Sequence, residues 1–485
     1  MKLTSIALAS LLCTGIAMSK DGWTPSLKLD CAKVTAVEPL PHGGTAVRLL
    51  LNPASGSNIR VAVWLPERQE WNGRLFSLGN SGMAGSIDEA KFIPYFQRGF
   101  VVATTDLGTN PAPDAGIGNP EVWKDFGYRA THLMTVAAKE IIENYYGKRP
   151  DYSYFHGHST GGQQAIREAQ LYPEDYDGIV ATLPAHCRTP LHAYFLWTYQ
   201  ILKRCNFTSA QEKAIIAAAN RIRAASEIPP FAGKCISDPR FSEAELEMLI
   251  AAEPSLTPDQ REGLRLLFDG PRHAVSGKRI FDGIPPGSNF WPAAGNLYLF
   301  NWVFGKDADY LALDFGKDFD RYTAALAADL TAENPDLAAF RKRGGKLLMT
   351  SGTADSVVPF QATMDYYEKV IEQVGSLEET QSFFRYFLIP GMAHHGSGPG
   401  INALPDWVAV MTDWCEKGRA PESLEARRYE GGNLAYTVPL YPYPAKTAWS
   451  RERGYYPVSA PRGGVKRVAP EFLPAGKTGQ EPVRD

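Results

Sequence analysis

The chain has 485 residues, 44% of them hydrophobic and 21% charged, with a formal net charge of −3. Those proportions suit a globular protein with a large buried core, arranged as two to three domains or as one domain carrying a big insertion. A charge this close to neutral gives no reason to expect nucleic acid or an anionic membrane surface as a partner.

Met1-Lys2, the apolar stretch from Ile6 to Leu12, and the small residues Ala17 and Ser19 have the layout of a cleaved signal peptide over residues 1–19. The apolar stretch is too short to anchor in a bilayer, so the mature chain is expected to be secreted or periplasmic. Export permits disulfides. The mature chain keeps Cys31, Cys187, Cys205, Cys235 and Cys415, an odd number, so at least one thiol stays free or bridges to another molecule. Their spacing does not reveal a connectivity.

Residues 33–105 alternate apolar and polar in short runs broken by Gly, Pro and Asn, which reads as strands and turns. From Gly127 to Tyr146 apolar residues recur at helical spacing (Leu133, Val136, Ala137, Ile141, Tyr145). Tyr152–Phe155 is strand-like, Gly162–Gln170 helix-like, and Gly178–Ala181 strand-like again. This alternation predicts an α/β fold, a mostly parallel sheet flanked by helices. Between residues 188 and 335 the pattern changes to Ala-, Glu- and Arg-rich helix, Pro-marked turns and aromatics between 290 and 304, as expected of an inserted lid domain. The sheet resumes with a strand at Lys346–Met349, a helix at Gln361–Val374, a strand at Phe383–Ile389 and a helix at Leu404–Glu416. The catalytic domain is thus 20–187 plus 336–445. Beyond Gly431 little periodicity is visible, and 446–485 reads as a surface tail with disordered last residues.

Gly157-His158-Ser159-Thr160-Gly161 sits between the strand-like and helix-like stretches. Strand, Gly-x-Ser-x-Gly turn and helix form the context of a nucleophile elbow, which exposes a serine hydroxyl at the end of a sheet. Such a hydroxyl needs a base, and in this architecture the acid and base follow in the order Ser, Asp or Glu, His, each after a late strand. Asp355 follows the strand at Lys346, and His394 follows the strand at Phe383. His394 is the expected base and Asp355 the group that orients it. The amide of Thr160 and those of Ser81 or Gly82, in the Gly79–Gly85 loop after the strand at Arg74, are the expected oxyanion donors.

With these motifs the chain resembles the tannase and feruloyl esterase family of α/β-hydrolases. The resemblance rests on Phe126–His132, Ser159–Gly162, Glu168–Ile179, Leu256-Thr257-Pro258, Ile284–Ser288 and Tyr386–Met392. It implies a serine esterase for small-molecule esters of aromatic acids such as gallate, ferulate or chlorogenate, with hydrolysis of terephthalate-type monoesters as an alternative. It also implies a cysteine before the nucleophile and another after the catalytic histidine, joined as a disulfide. Here those positions hold His158 and His395, expected to pack against each other beneath the catalytic pair. The family's Asp-rich calcium loop in the lid corresponds to residues 224–239, which lack that density of carboxylates. No cofactor and no metal are therefore expected. Two further readings remain open at this level: a metal-dependent hydrolase using His156, His158, His394 and His395, and an inactive binding homologue.

Overall fold

The computed structural model describes residues 23–464, apart from 111–112, 225–226, 292–293 and 397. The expected signal peptide and the last part of the expected tail lie outside the described residues.

Nine strands form one sheet in the order β1-β2-β3-β5-β4-β6-β7-β8-β9. They are β1 (Ala32–Pro39), β2 (Thr45–Leu51), β3 (Ile59–Leu65), β4 (Arg74–Leu78), β5 (Val101–Thr105), β6 (Tyr152–His158), β7 (Gly178–Thr182), β8 (Lys346–Gly352) and β9 (Phe384–Ile389). The first three and β5 pair antiparallel; β5, β4, β6, β7, β8 and β9 run parallel. Among the parallel strands β5 and β7 are buried at every position, which is why they read as largely apolar runs.

Alternate side chains feed two layers. Leu75 and Ala103 face the helix Ala130–Tyr146 through Met134, Ala137 and Ile141. Phe76, Val102, Tyr154 and Val180 face the helix Trp407–Lys417 through Met411 and Trp414. Each such large apolar side chain, once buried, contributes about 1.5–3 kcal/mol. Leu191, Ile201, Leu264, Phe300 and Leu326, from the stretch expected to be a lid, belong to the same apolar cluster as the first layer. Three helices of that stretch begin with capping boxes, in which Thr208, Ser242 and Thr257 bond the amides of Gln211, Glu245 and Gln260 and those side chains bond back. Pro258 then occupies the first helical position after Thr257.

Two expectations are corrected. The helix expected from Gly127 starts as α-helix only at Ala130, after a π-helical turn at Asp125–Arg129. A Cβ on Gly127 would lie 2.1 Å from the carbonyl oxygen of Asp329, so the turn is held against a neighbouring backbone that only glycine can meet. The stretch beyond Gly431 is not aperiodic. It completes the hairpin β10 (Leu424–Glu430) with β11 (Asn433–Leu440) and adds a second of β12 (Ala445–Ser450) with β13 (Gly454–Ser459). Gly431 and Gly432 both have positive φ, the requirement of a two-residue hairpin turn.

Candidate active site

Ser159, Asp355 and His394 follow the carboxyl ends of β6, β8 and β9, where parallel α/β sheets gather their reactive groups. Ser159 has φ 60° and ψ −114°, a backbone conformation that side-chain-bearing residues rarely adopt. Its neighbours enforce it: the Ser159 amide donates to Thr182 (3.0 Å), and the Ser159 carbonyl accepts from Ala185 (3.0 Å). Glycine is required on the strand side, because a Cβ on Gly157 would sit 1.9 Å from the carbonyl oxygen of Gly161.

His394 bridges the other two residues. Its Nε2 lies 2.9 Å from Ser159 Oγ and its Nδ1 lies 2.8 Å from Asp355 Oδ2. An ionised carboxylate only accepts, so Nδ1 carries the proton and Nε2 is free to take one from the serine. Asp355 is fully buried and His394 is 5% exposed. The second carboxylate oxygen accepts from the amides of Val357 (2.8 Å) and Val358 (2.9 Å), which fixes the carboxylate plane.

The loop after β4 closes over the first turn of the helix Thr160–Leu171. Gly161 donates to the carbonyl of Asn80 (2.7 Å), and the Asn80 amide donates to Gln164 Oε1 (2.9 Å). Thr160 Oγ1 donates to the carbonyl of Gly82 (2.5 Å). Ser81 and Gly82 are exposed and Gly82 has φ +56°. The amide of Thr160 lies in the first helical turn, where backbone donors lack intrahelical partners, and among the described residues it meets no acceptor. Thr160 and the Ser81–Gly82 loop thus stand side by side next to the serine. Asn80, Gln164 and Arg188, which bind this loop, carry no sequence motif. The only hint was two glutamines, Gln163 and Gln164, in a helix too short to waste buried positions.

The two histidines at the expected cysteine positions are placed differently from expectation. Each packs on His394 rather than on the other: ring centroids are 4.9 Å apart for His158 and His394, and 5.0 Å for His394 and His395. His158 is partly buried against β7, with Nδ1 3.3 Å from Thr182 Oγ1, whereas His395 lies exposed in the turn after β9. Burial, aided by the neighbouring imidazoles, lowers the His158 pKa to about 3; burial alone lowers that of His156 to about 4. Burial and His394 also lower that of His395. These rings line a cleft of about 370 Å³ with Met392 and Trp407.

Neither the family's calcium loop nor the alternative histidine metal site has a matching set of donors among the described residues. Among the described residues the four histidines do not converge as a ligand set; His156 and His158 both turn toward the Thr182 hydroxyl. In the stretch 224–239 Asp238 is held by both Arg240 Nε and Nη2, and Glu227 Oε1 accepts the Ser237 amide. Such a pair does not make the six to eight oxygens of a hard-cation site. One cluster of His132, Glu168 and Asp175 brings its ligand atoms within 4.8 Å, behind the elbow helix. His132 Nδ1 already bonds Asp175 (2.6 Å), and burial beside Asp175 holds the Glu168 carboxyl well above its usual range.

The aromatics between 290 and 304 mostly build the core: Trp302 packs edge-on to Phe126 and Phe300 stacks on Tyr322. Cys31, Cys187, Cys205, Cys235 and Cys415 are all free thiols. No described helix is long and apolar enough to cross a membrane.

The chain matches the family model "Tannase and feruloyl esterase" over residues 45–308 and 288–459. It is 28% identical to an uncharacterized esterase of Xanthomonas campestris over 98% of both chains. It is 30% identical to a probable feruloyl esterase B-2 of Aspergillus flavus over 80% of each. Among solved structures, feruloyl esterase B from Aspergillus oryzae superposes with a TM-score of 0.77 at 24% identity, over 89% of this chain and 98% of that one. Tannin acyl hydrolase from Aspergillus niger gives 0.75 at 18% identity, over 90% and 93%. Both share the fold.

Proposed function

The chain belongs to the tannase and feruloyl esterase family and is a carboxylic ester hydrolase, and from that premise we propose that Ser159, His394 and Asp355 hydrolyse esters of phenolic acids through an acyl-enzyme. Gallate, ferulate and chlorogenate esters are the substrates of choice. The observation that carries this reading is the single imidazole bridging a buried carboxylate and a serine in a strained turn.

In the first step Ser159 Oγ attacks the ester carbonyl while its proton passes to His394 Nε2. The tetrahedral oxyanion is met by the amides of Thr160 and of Ser81 or Gly82. Collapse breaks the bond to the alcohol oxygen, which takes the proton from Nε2 and leaves. Water then attacks the acyl-serine by the same route in reverse, its proton passing through His394 to Ser159 Oγ as the acid departs. Asp355 stays ionised and stabilises the imidazolium. We further propose that the chain is exported, with residues 1–19 removed.

A hydrolysis panel of methyl gallate, methyl ferulate, chlorogenate and a terephthalate monoester, run on wild type and Ser159→Ala, tests this. The phenolic esters should turn over fastest, and the alanine variant should lose at least about 10⁴-fold in kcat with its fold intact. More than trace turnover by Ser159→Ala would overturn the serine mechanism; exclusive turnover of the terephthalate ester would overturn the substrate class.

A further inference from the structure

Arg188 opens the helix Arg188–Cys205 at the start of the lid stretch and is 3% exposed. One of its nitrogens, Nη2, lies 2.7 Å from Tyr298 Oη, 3.1 Å from Thr160 Oγ1 and 3.3 Å from the carbonyl oxygen of Gly82. None of these partners is a carboxylate, and among the described residues no acid pairs with it. Its Nε is buried without an acceptor, and the guanidinium lies over the Phe126 ring at 5.1 Å.

A buried charge without a counter-charge is costly, so its position needs a reason. The Gly82 carbonyl supplies one, because three donors converge on it: Thr160 Oγ1 (2.5 Å), Arg188 Nη2 (3.3 Å) and Tyr298 Oη (3.4 Å). Gly82 sits at φ +56° with open space where a Cβ would be, so no side chain of its own anchors it. Arg188 also bonds the side chain of the residue directly after Ser159. A paired arginine would present a dipole; an unpaired one presents a full positive charge in a water-poor setting, where it acts over a longer range. One turn on, Arg188 adds to burial in lowering the pKa of His192.

We propose that Arg188 is a positioning residue of the oxyanion hole, fixing the Gly82 loop against Thr160 and the lid residue Tyr298 and holding an uncompensated positive charge behind the amides that meet the oxyanion. The inference rests on the serine-esterase reading above. It links lid and chemistry: Tyr298, from the helix Tyr298–Phe304, accepts from Arg188 and donates to Gly82, so seating of that helix and assembly of the hole are one event.

The test compares wild type, Arg188→Met, Arg188→Lys and Tyr298→Phe by kcat, KM, inhibition by an aryl boronic acid that forms a tetrahedral adduct, and covalent labelling of Ser159 by a fluorophosphonate. Arg188→Met should lower kcat by about 10–100-fold with KM within about threefold, and weaken the boronate by a similar factor. Arg188→Lys should recover part of both. An Arg188→Met protein that folds and keeps wild-type kcat and boronate affinity overturns the inference, as does a loss confined to KM. If Arg188→Met does not fold, Tyr298→Phe decides: a several-fold loss in kcat at constant KM supports the role, and unchanged kcat overturns it. Wild type that is not labelled at Ser159 would sink the serine reading and this inference with it; labelled wild type beside an unaffected Arg188→Met sinks this inference alone.

Discussion

His394 has an imidazole on each side, His158 and His395, and burial lowers the pKa of both. His158 titrates near 3 and His156 near 4 in the folded chain because burial opposes their charged forms, while in the unfolded chain both return to about 6.5. Above pH 6.5 both states are neutral and these groups do not affect stability. As the pH falls from 6.5 toward 3 the unfolded chain binds protons that the folded chain refuses, so stability declines, and below about 3 this contribution levels off. Thermal unfolding of wild type and His158→Gln across that range should show a shallower decline for the variant; parallel curves would contradict the assigned burial. At this scale Ser159, Asp355 and His394 were legible, because order along the chain and position after a strand are both written locally. Arg188 and Gln164 were not, since their partners lie 106 and 84 residues away and meet only once the sheet has closed. The expected His158–His395 contact failed for a related reason: the resemblance implies that the two positions approach, not which ring slips between them.

The elbow tests how far element geometry dictates chemistry. Gly157 and Gly82 look alike in sequence but differ in the structure. A Cβ at Gly157 collides with backbone at 1.9 Å, whereas at Gly82 it meets open space and only the positive φ objects. Gly157→Ala should therefore cost about 1–3 kcal/mol or more by overpacking and lose at least about 100-fold in activity. Gly82→Ala should cost only about 1–2 kcal/mol in backbone strain and keep the fold. Chemical denaturation with matched rate measurements checks both, and equal effects would contradict the distinction. Most strands and helices were legible to within a few residues because their apolar periods match their burial. The C-terminal hairpins were missed although Gly431-Gly432 is a hairpin turn signal, since their flanking strands are largely exposed and lack a clean apolar alternation. The π-helical turn at Asp125–Arg129 was missed because Asp125 accepts from Ser57 across the fold and Gly127 meets the Asp329 carbonyl, tertiary causes with no local trace.

Across the whole molecule the sequence revealed a parallel sheet with an insertion but not the strand order, which depends on which crossovers the chain takes. The insertion shares an apolar cluster with one sheet layer and touches the elbow through Arg167, whose guanidinium bonds the carbonyls of Ala328 and Asp329. Between 224 and 239 Asp238 is held by Arg240 and Glu227 Oε1 accepts the Ser237 amide, too few oxygens for a hard cation, so activity should survive prolonged EDTA treatment and dialysis, measured as kcat on a phenolic methyl ester. Loss that added calcium restores would contradict the donor assignment. The central claim is that an acyl group passes through Ser159. It is tested most directly by acid-quenching the enzyme during turnover of methyl ferulate and mapping the added mass by peptide mass spectrometry. The predicted result is a feruloyl adduct on the peptide containing Ser159, absent from Ser159→Ala; turnover with no adduct at Ser159, or with the adduct on another residue, would contradict it.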